Sequence, residues 1–280
     1  MLGEDGQELR GVPFTIATTL GAASNHPCAL VIGKLAVANR GPKQVANQSA
    51  QTFLVILGDG GAQNWNELRH GISENEPILV LTEGSSDATI LRLSLAALYP
   101  ELEDRFQFLD FDSSNYGGGA PSLATQVKGF AAAGVRNKIL GVVDNDAVGR
   151  DALRQLENTR LPPNIGVMTL PELAVANRYP TLGPLGKLSG NVNGLAVSIE
   201  FFAGEQLLME AGGGEPDPVV WGSYISGLKT YQGELSRKTV VAKALRESLS
   251  RKMEPAAHKE VHPELCELWE QIFKLAETLQ

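Results

Sequence analysis

Two short apolar runs, each followed by acidic residues, constrain this chain more than any other feature of its sequence. The run 78–81 leads into Glu83, and the later run 139–143 ends in Asp144 and Asp146. In a parallel sheet the carboxyl ends of the strands lie at one edge, which is where ligands bind. The pattern predicts an α/β sheet with three carboxylates gathered at that edge, and such a group can hold a divalent metal against a phosphate.

Strand-like and helix-like segments alternate from Pro77 to about Leu170. This alternation favours a parallel sheet with crossover helices. The run 139–143 is the most apolar and is expected to be central, because central parallel strands are buried on both faces. The sequence therefore predicts a doubly wound sheet of about four strands with flanking helices. The predicted strands are 78–82, 106–111, 138–143 and 165–170, and the predicted helices are 86–99, 122–133 and 148–157.

The remaining chain is predicted to form three further regions. The segment 171–235 is rich in glycine and proline and has one helical candidate at about 199–209. Two helices are expected at about 237–253 and 263–279, where apolar residues recur at helical spacing. Trp269 and Phe273 on the last helix could serve either a homo-oligomer contact or the core. The predicted regions are an accessory segment of unknown role (1–76), the sheet domain (77–170), an irregular insert completing the site (171–235) and C-terminal helices (236–280).

The composition is that of an ordinary globular protein. Hydrophobic residues make up 43% and charged residues 20% of the 280 residues, and no apolar run approaches the length of a membrane span. The first ten residues are acidic, unlike a secretory signal. The only cysteines, Cys28 and Cys266, form no zinc or disulfide pattern. These features predict a cytoplasmic protein without a membrane partner.

The charge distribution bears on nucleic acid as a partner. A net charge of −8 opposes general affinity for phosphate backbones. The segment 228–260 nevertheless carries an excess of lysine and arginine over glutamate. It could form a basic surface for nucleic acid, or an ordinary solvated helix face.

The acidic motifs carry the predicted chemistry. Gly84 allows the sharp turn that follows a parallel strand, while Glu83 points over the sheet edge. Asp144 and Asp146 are alternate residues of an extended chain and therefore face the same side. Crowded acids raise one another's pKa unless a cation is present. For Asp146, a role as cap of the following helix remains an alternative.

These motifs resemble those of the TOPRIM domain, which topoisomerases, bacterial primases, small RNA-maturing nucleases and OLD-family nucleases share. The matching residues are Glu83-Gly84 and Asp144-x-Asp146 in their strand contexts, with Asp87 and the tail 149–151. The resemblance covers 77–170. It implies metal-dependent hydrolysis of phosphodiester bonds, with one or two Mg²⁺ or Mn²⁺ ions held by Glu83, Asp87, Asp144 and Asp146.

The sequence looks most similar to the HEPN/Toprim-associated and OLD-like nucleases of bacterial antiviral defence. The supporting features are the acidic run 110–112, which leads into the glycines 117–119, and the segment 198–200. The glycines could present amides to a phosphate or form a flexible loop. The resemblance implies a further metal-binding acid, here Glu200, for which a first-turn glutamate complementing a helix dipole is the alternative.

That resemblance also implies a lysine which stabilises charge in the transition state. Lys238 is the candidate, and Lys229 is the alternative. A cation beside a five-coordinate phosphate lowers the cost of its growing negative charge.

Other enzyme classes lack their required features. No tyrosine lies in the context of a topoisomerase nucleophile, and no cysteine-rich site suggests a primase. Arg251 and His258 have roughly the spacing of a HEPN ribonuclease, but Pro255 would break the helix that must present both. A HEPN domain or an ATPase is therefore expected only in a partner.

The resulting expectation is a TOPRIM endonuclease that acts in defence against phage. Asp144 and Asp146 ligate metal, Glu83 ligates metal or transfers protons, and Asp87 and Glu200 complete the site. Water is the nucleophile. A non-catalytic module that binds nucleic acid or a partner ATPase is the alternative. Whether the substrate is DNA or RNA stays open.

Overall fold

The computed structural model describes residues 76–109 and 117–280, together with the backbone of three strands in the first 75 residues. The chain divides into two compact units, Met1–Ile72 and Ser73–Gln280. The strands of the first unit form an antiparallel sheet in the order β1-β2-β3. They are β1 (Thr15–Ala17), β2 (Ala29–Lys34) and β3 (Thr52–Leu57). The predicted acidic feature 110–112 lies outside the described residues.

The second unit combines a parallel sheet with a smaller mixed sheet and several helices. Its strands are β4 (Ile78–Leu81), β5 (Phe106–Phe108), β6 (Ile139–Val143), β7 (Asn145–Asp146), β8 (Ile165–Thr169), β9 (Tyr179–Gly183), β10 (Gly186–Gly190), β11 (Ala196–Val197), β12 (Val219–Ile225) and β13 (Thr230–Leu235). Its helices are α1 (Ser85–Leu98), α2 (Ala120–Ala133), α3 (Ala147–Leu156), α4 (Gly204–Gly212), α5 (Lys238–Leu249), α6 (Pro255–Val261) and α7 (Pro263–Thr278). Three 3₁₀ helices cover Pro100–Arg105, Ala174–Arg178 and Ile199–Ala203.

The central sheet is parallel throughout and has the strand order β5-β4-β6-β8. Every residue of β6 is buried, as expected for the most apolar strand, and β6 lies between β4 and β8. The prediction of a four-stranded parallel sheet with flanking helices is confirmed, and the arrangement is compatible with a Rossmann-like fold.

The two faces of this sheet pack against different helices. Side chains of a strand alternate between the faces, so that neighbouring residues of β6 enter separate clusters. Leu140 and Val142 pack in the cluster that includes α1, α5 and α7, while Ile139 and Val143 pack with α2 and α3. The apolar stripes of the helices account for this layering.

The insert 171–235 differs from its prediction. It contains a four-stranded sheet in the order β10-β9-β12-β13, the short strand β11, two 3₁₀ helices and α4. Short strands interrupted by glycine and proline have a weak periodic signal, which explains why the sequence suggested irregular chain.

The C-terminal region forms three helices where the sequence suggested two. Pro255 begins α6 and Pro263 begins α7, and proline suits the first turn of a helix because its missing amide hydrogen has no intrahelical partner there. Arg251 precedes α6, whereas His258 lies within it, so the two do not share a helix.

Trp269 belongs to the core. Its side chain is fully buried, its indole N–H donates to the hydroxyl of Ser94 at 2.9 Å, and its ring packs edge-on against Phe106. A buried indole that has found a hydrogen-bond partner is typical of a core position. Trp269 is therefore not available to a homo-oligomer contact.

None of the helices that the structure describes is long and apolar enough to cross a membrane.

Candidate functional site

Glu83 and Asp144 meet at the carboxyl edge of the parallel sheet. Glu83 follows β4 and Asp144 directly follows β6, and these strands are neighbours. The main-chain N–H of Asp144 donates to Oε1 of Glu83 at 2.8 Å. The two acidic motifs are thus in direct contact, which the parallel pairing of their strands makes possible.

Asp146 caps helix α3 and also faces the site. Its Oδ1 accepts a hydrogen bond of 2.7 Å from the amide of Gly149, which satisfies one of the free donors at the helix start. Its Oδ2 accepts from Nε2 of Gln232 on β13, while Oε1 of Gln232 accepts from the amide of Val148 at 3.1 Å. Gln232 therefore holds both the carboxylate and the first turn of α3.

Asp87 lies in the first turn of α1. Its Oδ2 accepts from the amide of Gly84 at 2.9 Å, and Gly84 is the residue that caps the helix. The helix therefore begins at Ser85, one residue before the predicted start at 86, because the glycine turn starts it earlier. This bond holds Asp87 beside the turn that follows Glu83.

Glu200 and Lys238 come from the part of the chain beyond the parallel sheet. Glu200 is only 1% exposed, and its Oε2 accepts from the hydroxyl of Ser198 at 2.7 Å. The ammonium nitrogen of Lys238, the first residue of α5, lies 3.5 Å from Oε2 of Glu200 and 3.8 Å from Oδ2 of Asp144. The alternative candidate, Lys229, is exposed in the turn between β12 and β13.

Strand pairing brings these later residues to the acids. Strand β7, which contains Asp146, pairs with β11, so that Ala196 lies opposite Asp146. The chain leaves β11 directly into the 3₁₀ helix that carries Glu200. The amide of Gly233 on β13 donates to the carbonyl of Leu195, which places Gln232 beside the same loop, and α5 follows β13 with Lys238 at its start.

The glycine run 117–119 packs against the main chain of Glu83. The amide of Gly119 donates to the Glu83 carbonyl at 2.7 Å, and a Cβ on Gly118 would lie 2.8 Å from that oxygen. Only glycine permits this approach. In this arrangement the Gly119 amide is already bonded, and the run positions the loop that carries Glu83.

Burial and mutual repulsion alter the acids' protonation. Burial raises the pKa of Glu83 to about 7, with a further contribution from Asp146. Burial likewise raises the pKa of Asp87 to about 6, with Glu200 contributing. The pKa of Asp144 is raised well above its usual value by burial and then by Asp87 and Glu83. The cluster therefore holds more negative charge than its surroundings neutralise.

Two neighbours respond differently to the same environment. Burial raises the pKa of Asp146, although the Gly149 amide and Gln232 act to lower it. Burial tends to lower the pKa of Lys238, yet the net shift is upward because Asp144 and Glu200 stabilise its charge. Lys238 is accordingly protonated at neutral pH and supplies positive charge among the acids.

The donor chemistry of this cluster suits a hard divalent cation, since Mg²⁺ and Mn²⁺ prefer carboxylate oxygens. Within residues 76–109 and 117–280, however, no group of three or more acidic, histidine or cysteine side chains is arranged to hold a metal ion. Several carboxylate oxygens instead accept hydrogen bonds from amides, from Ser198 or from Gln232. The residues fit a divalent ion in kind and in charge.

The raised pKa values predict how stability depends on pH without metal. The folded chain binds a proton on Glu83 more tightly than the unfolded chain, because the pKa rises from 4.5 to about 7. This stabilisation is complete below the unfolded value and is lost as pH rises through 7. His262, whose pKa burial lowers to about 4, opposes the trend only below 6.5. From pH 6.5 to 8, urea unfolding in EDTA should show a loss of about 1 kcal/mol.

Glu83→Gln is the matched variant for this measurement, because it keeps the shape of the side chain and removes its titration. Between pH 6.5 and 8, the unfolding free energy of Glu83→Gln should change clearly less than that of the wild type. An equal slope in both proteins would contradict the shifted pKa of Glu83.

Substitution of Gly149 is expected to have a second measurable effect on stability. A Cβ there would collide with the carbonyl oxygen of Asp144, whereas a Cβ on Gly129, in the exposed middle of α2, would meet nothing within 4 Å. Gly149→Ala should destabilise the chain by about 2 kcal/mol through backbone displacement. Gly129→Ala should stabilise it by about 0.5–1 kcal/mol, since alanine is the better helix former. Urea unfolding measures both, and similar values for the two variants would be incompatible with the crowding at Asp144.

The structure joins Glu83 to the Asp144 amide and places Lys238 beside Asp144 and Glu200, while the charges of Asp87 and Asp146 act on the same group. It adds Gln232, which no motif marks, because a glutamine separated by 86 residues from Asp146 has no local signal of its contact. The Asp-x-Asp motif, by contrast, is visible in the sequence and accounts for two features: Asp146 caps α3, and Asp144 faces Lys238.

No protein-family model, no curated protein and no solved structure matches the chain in three comparisons with known proteins. The TOPRIM resemblance therefore stays a prediction from the acidic motifs of the sequence.

Proposed function

We propose that this chain is a metal-dependent TOPRIM endonuclease that hydrolyses phosphodiester bonds. One observation carries the proposal: the buried carboxylates of Asp144 and Glu200 lie 3.8 and 3.5 Å from the ammonium group of Lys238, and Asp144 ends a strand at the carboxyl edge of a parallel sheet. That edge is where open α/β sheets bind ligands. An excess of buried negative charge in such a place is costly unless it serves to bind a cation or a proton.

Glu83, Asp144 and Asp146 would hold one or two Mg²⁺ or Mn²⁺ ions, and Asp87 and Glu200 would complete the ligand set. An ion held there would supply Lewis-acid polarisation of a phosphoryl oxygen and would lower the pKa of a water molecule. Gln232 and the Gly149 amide keep the Asp146 carboxylate in place through their hydrogen bonds. A ligand oriented in this way loses less entropy on binding.

Two residues contribute chemistry of their own. Glu83, with its pKa at about 7, can accept or return a proton at neutral pH, while its Oε1 stays bonded to the Asp144 amide. Lys238 carries a positive charge beside Asp144 and Glu200, where it would stabilise the negative charge that grows on a phosphate during attack by water.

The biological setting follows from resemblance rather than from geometry. Similarity to the antiviral TOPRIM proteins supports a cytoplasmic effector against phage, with nucleic acid as substrate. It also supports an ATPase or HEPN protein as activating partner.

One observation favours a second candidate, a non-catalytic module that binds nucleic acid or a partner. In the part of the chain described, the acids are hydrogen-bonded or paired with Lys238, and no three of them are arranged around a common point for an ion. Such an arrangement does not by itself require a metal ion or turnover.

Cleavage assays on the full chain separate these candidates. Supercoiled plasmid, single-stranded circular DNA and RNA are incubated with Mg²⁺, Mn²⁺ or EDTA, and products are resolved on gels. The nuclease proposal expects metal-dependent nicking or cutting of at least one substrate. Tight binding without cleavage under any metal would favour the binding module, and neither binding nor cleavage would refute both.

A further inference from the structure

Lys238 supplies the positive charge that pairs with the acids of the site. Its ammonium nitrogen lies 3.5 Å from Oε2 of Glu200 and 3.8 Å from Oδ2 of Asp144. Both carboxylates are almost fully buried, whereas the Lys238 side chain is 36% exposed. Among residues 76–109 and 117–280, no other lysine or arginine pairs with an acid of the site. One ammonium group is therefore the paired counter-charge of the whole cluster.

The charge of Lys238 also acts beyond its two contacts. Burial raises the pKa of Glu83, Asp87 and Asp144, and the ammonium group opposes each of these shifts. It opposes the upward shift of the Asp146 pKa, which burial causes, as well. Lys238 thus gives the acids the kind of charge that a metal ion would bring to them.

The helix that carries Lys238 does not itself favour a cation at this position. Lys238 is the first residue of α5, where the helix dipole is positive, and the first turn of α5 contains no acidic residue. The acids of the site therefore hold the ammonium group where it lies. Its stem is flexible and partly exposed, so the group can move into solvent without unfolding of the helix.

We propose that Lys238 is the built-in counter-ion of the metal-free site, and that a divalent ion displaces its ammonium group from Asp144 and Glu200. The proposal rests on the metal site of the proposed nuclease. An ion bound to Oε2 of Glu200 at about 2.1 Å would lie at most about 6 Å from the present position of the nitrogen. Two positive charges so close together in a largely buried site repel each other. The displaced group is then free to bind a phosphate.

The first test measures metal affinity without catalysis. Isothermal titration calorimetry of the full chain with Mn²⁺ at pH 8 gives the Kd. Lys238→Met should bind Mn²⁺ about tenfold more tightly than the wild type, because the competing charge is gone. Lys238→Arg keeps the charge and should not gain affinity. Lys243→Met, on the same helix, removes the same net charge at an exposed pair and should stay within about twofold of the wild type.

The second test follows the ammonium group in the wild-type chain and so does not depend on a variant that folds. The amines are acetylated with an N-hydroxysuccinimide ester of acetate, and mass spectrometry of peptides gives the rate at each lysine. Addition of Mn²⁺ should raise the rate at Lys238 several-fold, because an amine released from the acids loses a proton more readily. The rate at Lys243 should not change.

The outcomes are distinct from those of the cleavage assay. Mn²⁺ affinity that is no higher in Lys238→Met, or that rises equally in Lys243→Met, overturns the inference. Binding of Mn²⁺ without faster acetylation of Lys238 overturns it as well. A wild-type chain that binds no Mn²⁺ refutes both the inference and the metal-dependent nuclease. Displacement of Lys238 by Mn²⁺ in a chain that cleaves no substrate supports the inference while the nuclease proposal fails.

Discussion

Asp144→Asn is expected to reduce metal-dependent cleavage by on the order of a thousandfold, the largest effect that any single substitution should have on activity. Asp144 is buried, lies at the end of the central strand and contacts both the Glu83 carboxylate, through its amide, and Lys238, through its Oδ2. Asparagine keeps the size of the side chain and the main-chain bond but removes one negative charge from the group proposed to hold the ion.

The rate of plasmid or RNA cleavage under single-turnover conditions measures this effect. Glu267→Gln, at an exposed acid on α7, is the matched control and should cleave at the wild-type rate. Urea unfolding shows that the variant is folded, and removal of a repelling charge should leave its stability unchanged or higher. Wild-type cleavage by Asp144→Asn would remove Asp144 from the catalytic site.

Lys238→Met is expected to have the largest effect on stability of any substitution among the charged residues of the site in the absence of metal. The substitution keeps an apolar side chain of similar length but deletes the positive charge that lies between Asp144 and Glu200. Removing one partner of a buried ion pair is strongly destabilising, but the Lys238 side chain is 36% exposed, so solvent screens part of the loss. A decrease of about 1–3 kcal/mol in the unfolding free energy is expected in EDTA above pH 8.

A second lysine of the same helix provides the control. Lys243 pairs with Glu247 one turn along α5, and both side chains are largely exposed. Lys243→Met should therefore change the unfolding free energy by less than about 0.5 kcal/mol. Addition of Mn²⁺ should restore more stability to Lys238→Met than to Lys243→Met, because an ion can replace the lost charge. Equal unfolding free energies for the two variants would show that Lys238 does not balance the acids.

The sheet could be predicted because its signal is local. The four strands of the parallel sheet are short apolar runs, and the helices between them have an apolar stripe. The order of these patterns in the sequence therefore predicts the order of strands and helices in the fold. The acids were found for the same reason, since Glu83 and Asp144 directly follow two of these runs. The mixed sheet was missed because β9 and β10 are short and rich in glycine and proline.

The sequence by itself determined the parallel sheet, the edge at which the acids lie and the residue types gathered there, because strand, helix and turn preferences act over a few neighbouring residues. Only the tertiary structure decided that Gln232 holds Asp146 and that Lys238 rather than Lys229 lies among the acids. These contacts join segments far apart in the chain, and their energy comes from burial and charge compensation that exist only once β11 and β13 have packed against the sheet domain.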